Sequence, residues 1–190
     1  LAVDADTGAY RWHYQTTPRD RWDYTATQQI TLADLPLGED GANRRVVMQA
    51  PKNGFFYVLD AADGELISAT PFTAQNWTTG EFDENGRPEL VEEAVDLALY
   101  AVVPGPTGAH NWHPMAFNPD TGLVYIPVNE IPFFYDKTRN VEDSKSFWNI
   151  GYDAAAGWPV EYPAGTLDAV RDLDGGSLLA WDPVKAEPQW

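Results

Sequence analysis

Short apolar segments and polar turns alternate along this chain, and one arrangement of them occurs four times. In each copy an apolar segment of three to five residues leads into a turn that begins with Asp or Asn, and a second apolar segment follows. This pattern predicts a β-hairpin, because the first side chain of the turn can bond to the nearby backbone and a glycine near its end can adopt a positive φ. The first apolar segments of the four copies are residues 1–3, 55–59, 115–117 and 178–181.

The four turns recur at a regular interval. Their first residues lie 56, 58 and 64 positions apart. A strand-based repeat of this length is typical of a β-propeller, in which each blade is one four-stranded sheet. We therefore predict an all-β propeller in which these four residues shape equivalent hairpin turns of consecutive blades. They are Asp4, Asp60, Asn118 and Asp182.

Two tryptophans extend the repeat. Trp12 and Trp190 each stand eight residues after the Asp that begins a turn, whereas Ser68 and Ile126 hold that position in the two middle copies. The last copy also has Ala186 where the others have glycine. Large aromatic side chains at a repeated position can bury much apolar area, so we predict that both tryptophans pack between blades.

The length of the chain limits how much of a propeller it can form. With 190 residues and one blade per roughly 60, it has room for about three blades, whereas a closed ring needs about four or more. We therefore expect residues 1–190 to form one partial propeller domain that belongs to a longer protein.

Two long connections interrupt the repeats. They are rich in Gly and Pro and cover residues 74–108 and 136–176. Loops of this length are typical of functional lids or binding loops. The first connection also contains a predicted short helix at residues 88–94.

The charge balance argues against two classes of partner. The chain has 12 basic and 29 acidic residues and a formal net charge of −17, which disfavours binding to nucleic acid or to an anionic membrane surface. No apolar run approaches the roughly 20 residues that a membrane-spanning helix needs. The sequence contains no cysteine, which excludes a disulfide scaffold and a zinc–thiolate site.

Asp23 is the leading catalytic candidate. It lies in the run Trp-Asp-Tyr-Thr-Ala-Thr-Gln at residues 22–28, a segment too rich in turn formers to be a helix. A lone Asp in a turn usually has a structural role only. Here, however, the adjacent Trp22 can lower the local dielectric constant, which makes a carboxylate a stronger general base.

Two further segments have a similar relation to the predicted blades. Lys52 directly precedes one predicted strand, and Asn111 and Trp112 precede another. Equivalent loops of successive blades surround the same end of the central channel, so we predict that these residues converge with Asp23 on one ligand. The alternatives are a solvated turn lysine for Lys52 and ordinary packing for Trp112.

The three histidines do not have the spacing of a metal site. They are His13, His110 and His113. We expect the last two to serve as hydrogen-bonding groups of their loop.

Three ordered segments resemble the pyrroloquinoline quinone (PQQ)-dependent alcohol dehydrogenases, the quinoproteins and quinohaemoproteins of the bacterial periplasm. They are Thr-Thr-Pro-Arg-Asp-Arg-Trp-Asp-Tyr-Thr-Ala-Thr-Gln at 16–28, Gln-Ala-Pro-Lys-Asn-Gly-Phe-Phe-Tyr-Val-Leu-Asp at 49–60 and Asn-Trp-His-Pro-Met-Ala-Phe-Asn at 111–118. The resemblance runs almost end to end. It implies an eight-bladed propeller of the quinoprotein type in the periplasm, of which this chain would form about three blades.

The resemblance also implies a role for each candidate residue. Asp23 matches the catalytic aspartate, which takes the proton from the alcohol hydroxyl while a hydride passes to the quinone, and which lies beside the bound metal. Lys52 matches the basic residue that bonds to the quinone oxygens. Asn111 and Trp112 match residues that contact the edge of the cofactor. The implied reaction is the oxidation of a small alcohol to an aldehyde.

PQQ and calcium are the cofactors that the resemblance implies. Lanthanide-dependent relatives carry a second carboxylate two residues after the catalytic one, because a trivalent ion favours more anionic oxygen ligands. This chain has Thr25 at that position, so we predict calcium. Some relatives also carry a cytochrome c domain, so a haem c outside these residues and a cytochrome c as electron acceptor are further expectations.

Two other functions remain open from the sequence. A propeller that has lost catalysis can serve as a scaffold for protein binding, although such a scaffold does not need the Trp-Asp-Tyr, Pro-Lys-Asn-Gly and Asn-Trp-His-Pro segments. A PQQ-dependent sugar or polyol dehydrogenase would use the same cofactor site, and these residues do not distinguish it from an alcohol dehydrogenase.

Overall fold

The computed structural model describes residues 1–96, 98–136 and 175–190, which are almost entirely strands and loops. No helix in these ranges is both long enough and apolar enough to cross a membrane. The same ranges contain a 3-10 helix at Glu39–Gly41 and a short α-helix, α1, at Glu92–Asp96. Their strands are β1 (Ala2–Val3), β2 (Tyr10–Trp12), β3 (Thr31–Leu35), β4 (Arg44–Gln49), β5 (Phe55–Asp60), β6 (Leu66–Pro71), β7 (Thr78–Phe82), β8 (Pro88–Leu90), β9 (Ala98–Val102), β10 (Ala116–Asn118), β11 (Leu123–Asn129), β12 (Phe133–Asp136), β13 (Gly176–Asp182) and β14 (Glu187–Pro188).

Two antiparallel four-stranded sheets organise the fold. One has the order β3-β4-β5-β6 and the other has the order β10-β11-β13-β14. The hairpin β1–β2 precedes them. Two further pairs of strands, β7–β8 and β9–β12, form two-stranded sheets. A four-stranded antiparallel sheet is the unit of a propeller blade. The described residues therefore form two blades and a hairpin of a third, which confirms the predicted all-β propeller.

The four predicted turns share one backbone geometry. In each, the N–H of the fifth residue donates to the carbonyl oxygen of the first at 2.8–3.0 Å, and Oδ1 of the first residue accepts the N–H two positions later at 2.6–3.2 Å. The fifth residue has a φ of 56° to 79°. It is glycine in three turns and Ala186 in the last, so one turn adopts the left-handed conformation without glycine.

The turns do not occupy equivalent places in the blades, which corrects the prediction. Asp60 and Asp182 begin the turns between the third and fourth strands of their sheets, whereas Asn118 begins the turn between the first and second strands of its sheet. The repeated residues determine the conformation of the turn, which is the same in any such hairpin. The place of the hairpin in a sheet depends instead on pairing with distant strands. A related turn that the sequence analysis missed joins β7 to β8, where the Gly86 N–H donates to the Asp83 carbonyl oxygen at 2.9 Å.

Strand β5 is buried on both faces and separates two apolar clusters. Because side chains alternate along a strand, Phe56 and Val58 face the next blade, where the Phe56 ring lies 5.8 Å from the Trp181 ring. Phe55 and Tyr57 point the other way and pack with the aromatic residues around the candidate site. Full burial of such a side chain contributes about 1.5–3 kcal/mol. This strand therefore fixes both the contact between blades and the core next to the site.

Trp12 packs against the turn of the next blade, as predicted. Its indole N–H donates to the Ala61 carbonyl oxygen at 3.2 Å, and an added Cβ at Gly64 would come within 2.5 Å of its ring. Glycine at this position therefore allows both the positive φ of the turn and the close approach of the tryptophan. The Trp190 ring lies 6.0 Å from that of Tyr125 in its own sheet, and its packing against a further blade stays a prediction.

The first connection contains strands as well as a helix. Residues Pro88–Leu90 form β8 and pair with β7, and the helix begins only at Glu92. Pro88 lies opposite Phe82 in this pair, and proline is tolerated at the start of an edge strand because its missing N–H is not needed there. Residues 137–174, which make up most of the second connection, lie outside the described residues.

Candidate functional site

Asp23 and Lys52 form a direct ion pair. The Lys52 ammonium donates to Asp23 Oδ2 at 2.8 Å and to the Asp23 carbonyl oxygen at 3.0 Å. The two side chains differ in burial, since that of Lys52 is 9% exposed and that of Asp23 is 65% exposed. A nearly buried cation therefore holds a carboxylate that solvent can reach. The fold brings together two of the residues that the sequence predicted to converge.

The backbone at Asp23 adopts the left-handed conformation, with a φ of 65°. Asp is one of the few residues with a side chain that adopts it readily. The neighbours Trp22 and Tyr24 are both buried and hydrogen-bonded through their side chains, Trp22 to the Ala94 carbonyl oxygen at 3.2 Å and Tyr24 to that of Pro104. Asp23 therefore projects outward between two anchored aromatic side chains.

The surroundings of the Asp23 carboxylate differ from the sequence expectation. We expected Trp22 to shield it from water, but the indole lies in the core while the carboxylate is mostly exposed. The Trp22 indole is held in the core by its bond to the Ala94 carbonyl oxygen, and the left-handed backbone at Asp23 separates the two side chains although the residues are adjacent in sequence. Charge pairing with Lys52, rather than exclusion of water, dominates the surroundings of Asp23.

Gly108 packs so closely against Lys52 that there is no room for a side chain at position 108. An added Cβ at Gly108 would lie 2.3 Å from Lys52 Cγ and 2.8 Å from Lys52 Cα, and the φ of Gly108 is 80°. The next residue, Ala109, donates its N–H to the Lys52 carbonyl oxygen at 2.9 Å. The loop that carries Asn111 is thus packed directly against Lys52.

Asn111 and Trp112 follow on this loop. Asn111 Nδ2 donates to the Thr107 carbonyl oxygen at 2.8 Å, and Asn111 Oδ1 is buried with no hydrogen-bond partner in the described part of the chain. Trp112 is 88% exposed. The structure therefore joins the loop to Lys52, but no hydrogen bond among the described residues joins Asn111 or Trp112 to the ion pair.

His110 links the same loop to the segment before Lys52. Its ring is fully buried, with Nδ1 at 2.5 Å from the Ala50 carbonyl oxygen and Nε2 at 2.6 Å from the His113 carbonyl oxygen. His110 is therefore a hydrogen-bonding group of its loop, as expected, and His113 takes part here through its backbone. Within the described ranges, no three or more His, Cys, Asp or Glu side chains are gathered as a metal site.

Asn53 is a residue of the site region that the sequence analysis missed. Its side chain is fully buried, and Nδ2 donates to the Thr16 carbonyl oxygen at 3.0 Å and to the Tyr57 hydroxyl at 2.9 Å. Burial raises the pKa of the Tyr57 phenol well above its usual value, so the hydroxyl stays a neutral hydrogen-bonding group. The side chain of Asn53 thereby connects the segment that carries Lys52 to the segment that leads to Asp23. Its place in the Pro-Lys-Asn-Gly segment was the available sequence signal.

Known proteins are similar to this chain in both sequence and fold. The family described as the PQQ glucose/ethanol/alcohol dehydrogenase β-propeller domain matches residues 1–82. Quinohemoprotein alcohol dehydrogenase ADH-IIG of Pseudomonas putida is 48% identical over 199 residues, which cover 100% of this chain and 27% of that protein. The quinohemoprotein alcohol dehydrogenase of Comamonas testosteroni is 43% identical over 100% of this chain and 26% of that protein. The resemblance to the PQQ-dependent alcohol dehydrogenases is confirmed.

Solved structures show that the similarity also holds in three dimensions. The ADHIIG structure from Pseudomonas putida matches with a TM-score of 0.80 and 46% identity, over 99% of this chain and 28% of that chain. A europium-containing methanol dehydrogenase matches with a TM-score of 0.74 and 28% identity, over 99% of this chain and 31% of that chain. The chain spans about a quarter of the length of the curated relatives that it matches.

Proposed function

We propose that this chain supplies part of the catalytic site of a PQQ- and calcium-dependent alcohol dehydrogenase, which oxidises a small alcohol to an aldehyde in the bacterial periplasm. The observation that carries the proposal is the Asp23–Lys52 pair, an exposed carboxylate 2.8 Å from a nearly buried ammonium. The names of the quinohemoprotein relatives support the same reaction class. A cytochrome c is the proposed electron acceptor, and a haem c would belong to polypeptide outside these residues.

Three side chains among the described residues have properties that suit the binding of PQQ. PQQ is an anionic quinone, which favours cationic and hydrogen-bonding partners. Lys52 directs two hydrogen bonds to Asp23, which leaves its third ammonium proton for a quinone oxygen. Asn111 Oδ1 is buried without a partner in the described ranges, so it can accept a hydrogen bond from a bound group. Trp112 offers an exposed aromatic ring to the cofactor.

Asp23 is the general base in this proposal. Its carboxylate is mostly exposed although Lys52 bonds to one of its oxygens, so an alcohol can approach it and transfer the hydroxyl proton to it. When bound, PQQ supplies the acceptor for the hydride. Lys52 has two tasks, because it holds the carboxylate in place and its positive charge stabilises negative charge that develops on a neighbouring oxygen.

Calcium is the metal that we propose beside Asp23. Calcium takes about six to eight oxygen ligands. The described residues gather no cluster of acidic or imidazole side chains, so Asp23 would be one ligand and other parts of the protein would supply the rest. Thr25 supplies no second carboxylate two residues after Asp23, which favours calcium over a lanthanide. The europium in one structural relative makes this choice of metal worth testing.

The substitution Asp23→Asn in the complete protein tests the proposed base. Asn preserves the size of the side chain and tolerates the left-handed backbone, so the fold should be kept. We expect PQQ to stay bound while alcohol-dependent reduction of a dye acceptor slows at least about 100-fold. Asp34→Asn is the matched control, because Asp34 forms a surface ion pair with Arg45 at 2.7 Å. Equal turnover in the two variants would assign the base to another residue.

A further inference from the structure

Trp77 contacts the segment that carries Lys52. It directly precedes β7, its side chain is fully buried, and its indole N–H donates to the Asn53 carbonyl oxygen at 2.9 Å. Asn53 is the residue after Lys52. A hydrogen bond between a buried donor and a buried backbone acceptor is costly to break, because both groups would lose their partner away from water. The main chain next to Lys52 is therefore held by Trp77.

The Trp77 ring also packs against both neighbours of Asp23. Its centroid lies 5.6 Å from that of Trp22 and 5.4 Å from that of Tyr24, and the last two lie 5.4 Å apart. We call Trp22, Tyr24 and Trp77 the aromatic triad. Tilted and edge-on ring contacts of this kind stabilise a defined arrangement in addition to burying area. Because Asp23 projects between two members of the triad, its position depends on the third.

The triad is anchored at a further point. The Tyr24 hydroxyl donates to the Pro104 carbonyl oxygen, which lies shortly before the part of the loop that packs on Lys52. The side chain of Asn53 is itself held by hydrogen bonds to the Thr16 carbonyl oxygen and the Tyr57 hydroxyl. The triad thus connects all three segments that carry the predicted site residues.

We propose that the aromatic triad sets the position of the Asp23 carboxylate relative to the Lys52 ammonium, with Trp77 as its central positioning residue. This inference rests on the proposed function, since it concerns the same ion pair. The role requires no contact between the triad and the alcohol or PQQ. A displacement of about 1 Å at a reacting group can slow turnover about 100-fold. Loss of an anchor should therefore lower kcat more than it raises the KM for the alcohol.

Two variants of the complete, PQQ-loaded protein test this role. Trp77→Phe removes the indole donor and keeps an aromatic ring, and Tyr24→Phe removes only the hydroxyl. We expect each to lower kcat about 10- to 100-fold, while the KM for the alcohol changes less than about three-fold. Phe82→Leu is the control, because Phe82 packs on Phe55 at 5.2 Å in the same core. Its kcat should stay within about two-fold of the wild type.

Each outcome separates the positioning role from the proposed function. If the wild type is active and both variants keep the kcat of Phe82→Leu, the positioning role is wrong and the proposed function stands. If the KM for the alcohol rises in step with the fall in kcat, the triad shapes the alcohol-binding site and the positioning role is again wrong. A wild type without PQQ-dependent alcohol oxidation would overturn both proposals. If Trp77→Phe does not fold, Tyr24→Phe decides alone, since it keeps all three rings.

Discussion

Replacing Gly108 with alanine should displace Lys52 and destabilise the fold. The φ of 80° at Gly108 is unfavourable for a residue with a Cβ by about 1–2 kcal/mol. The new Cβ would also lie 2.3 Å from Lys52 Cγ and 2.6 Å from Lys52 Cβ, so either the Lys52 side chain or the backbone at position 108 must move. Overpacking of this kind costs about 1–3 kcal/mol. We therefore expect Gly108→Ala to lower the free energy of unfolding by about 2–5 kcal/mol.

Gly122→Ala is the matched control for this substitution. Gly122 has a φ of 72°, but no atom lies within 4 Å of an added Cβ, so only the backbone cost of about 1–2 kcal/mol applies. Thermal unfolding of the complete protein and titration with PQQ would compare the two variants. Gly108→Ala should unfold at the lower temperature and bind PQQ more weakly, whereas Gly122→Ala should bind PQQ normally. Equal unfolding temperatures, or normal PQQ binding by both variants, would refute the reasoning.

Three other sites give predictions that single measurements can check. Ala186→Gly should raise stability towards denaturant by about 1 kcal/mol, because it relieves a φ of 56°, and a loss of stability would contradict this. The Arg44 guanidinium lowers the pKa of the Asp60 carboxyl below its ordinary value of 3.8. The ion pair therefore stabilises the fold fully at a pH above 3.8, and this stabilisation is lost as the pH falls through the lowered pKa. Asp60→Asn should flatten this acid decline in thermal unfolding, and an unchanged decline would assign it to other carboxyls. Reconstitution of the apoprotein with PQQ should restore alcohol oxidation with calcium, because Thr25 supplies no second carboxylate, and activity with a light lanthanide alone would show that this residue is a poor guide to the metal.

The sequence by itself determined the turns and the chemistry of the candidate residues. The bonds that close the turn at Asp60 join residues no more than five positions apart, so the residue types present there were enough to predict its shape. Asp23 and Lys52 were likewise recognisable from the short segments around them. Such features depend on local hydrogen bonding and on side-chain chemistry, which a linear pattern records.

Tertiary structure alone decided where these pieces lie. The Asn118 hairpin has the same turn as the others, yet strand pairing places it at the start of its sheet rather than at the end. Sequence adjacency predicted that Trp22 would shield Asp23, but packing turned the indole into the core and left Lys52, 29 positions away, to contact the carboxylate. Trp77 carried no functional signal until its contacts with Trp22, Tyr24 and Asn53 were seen. These relations depend on contacts between segments far apart in the chain, and the spacing of residues within any one segment does not encode them.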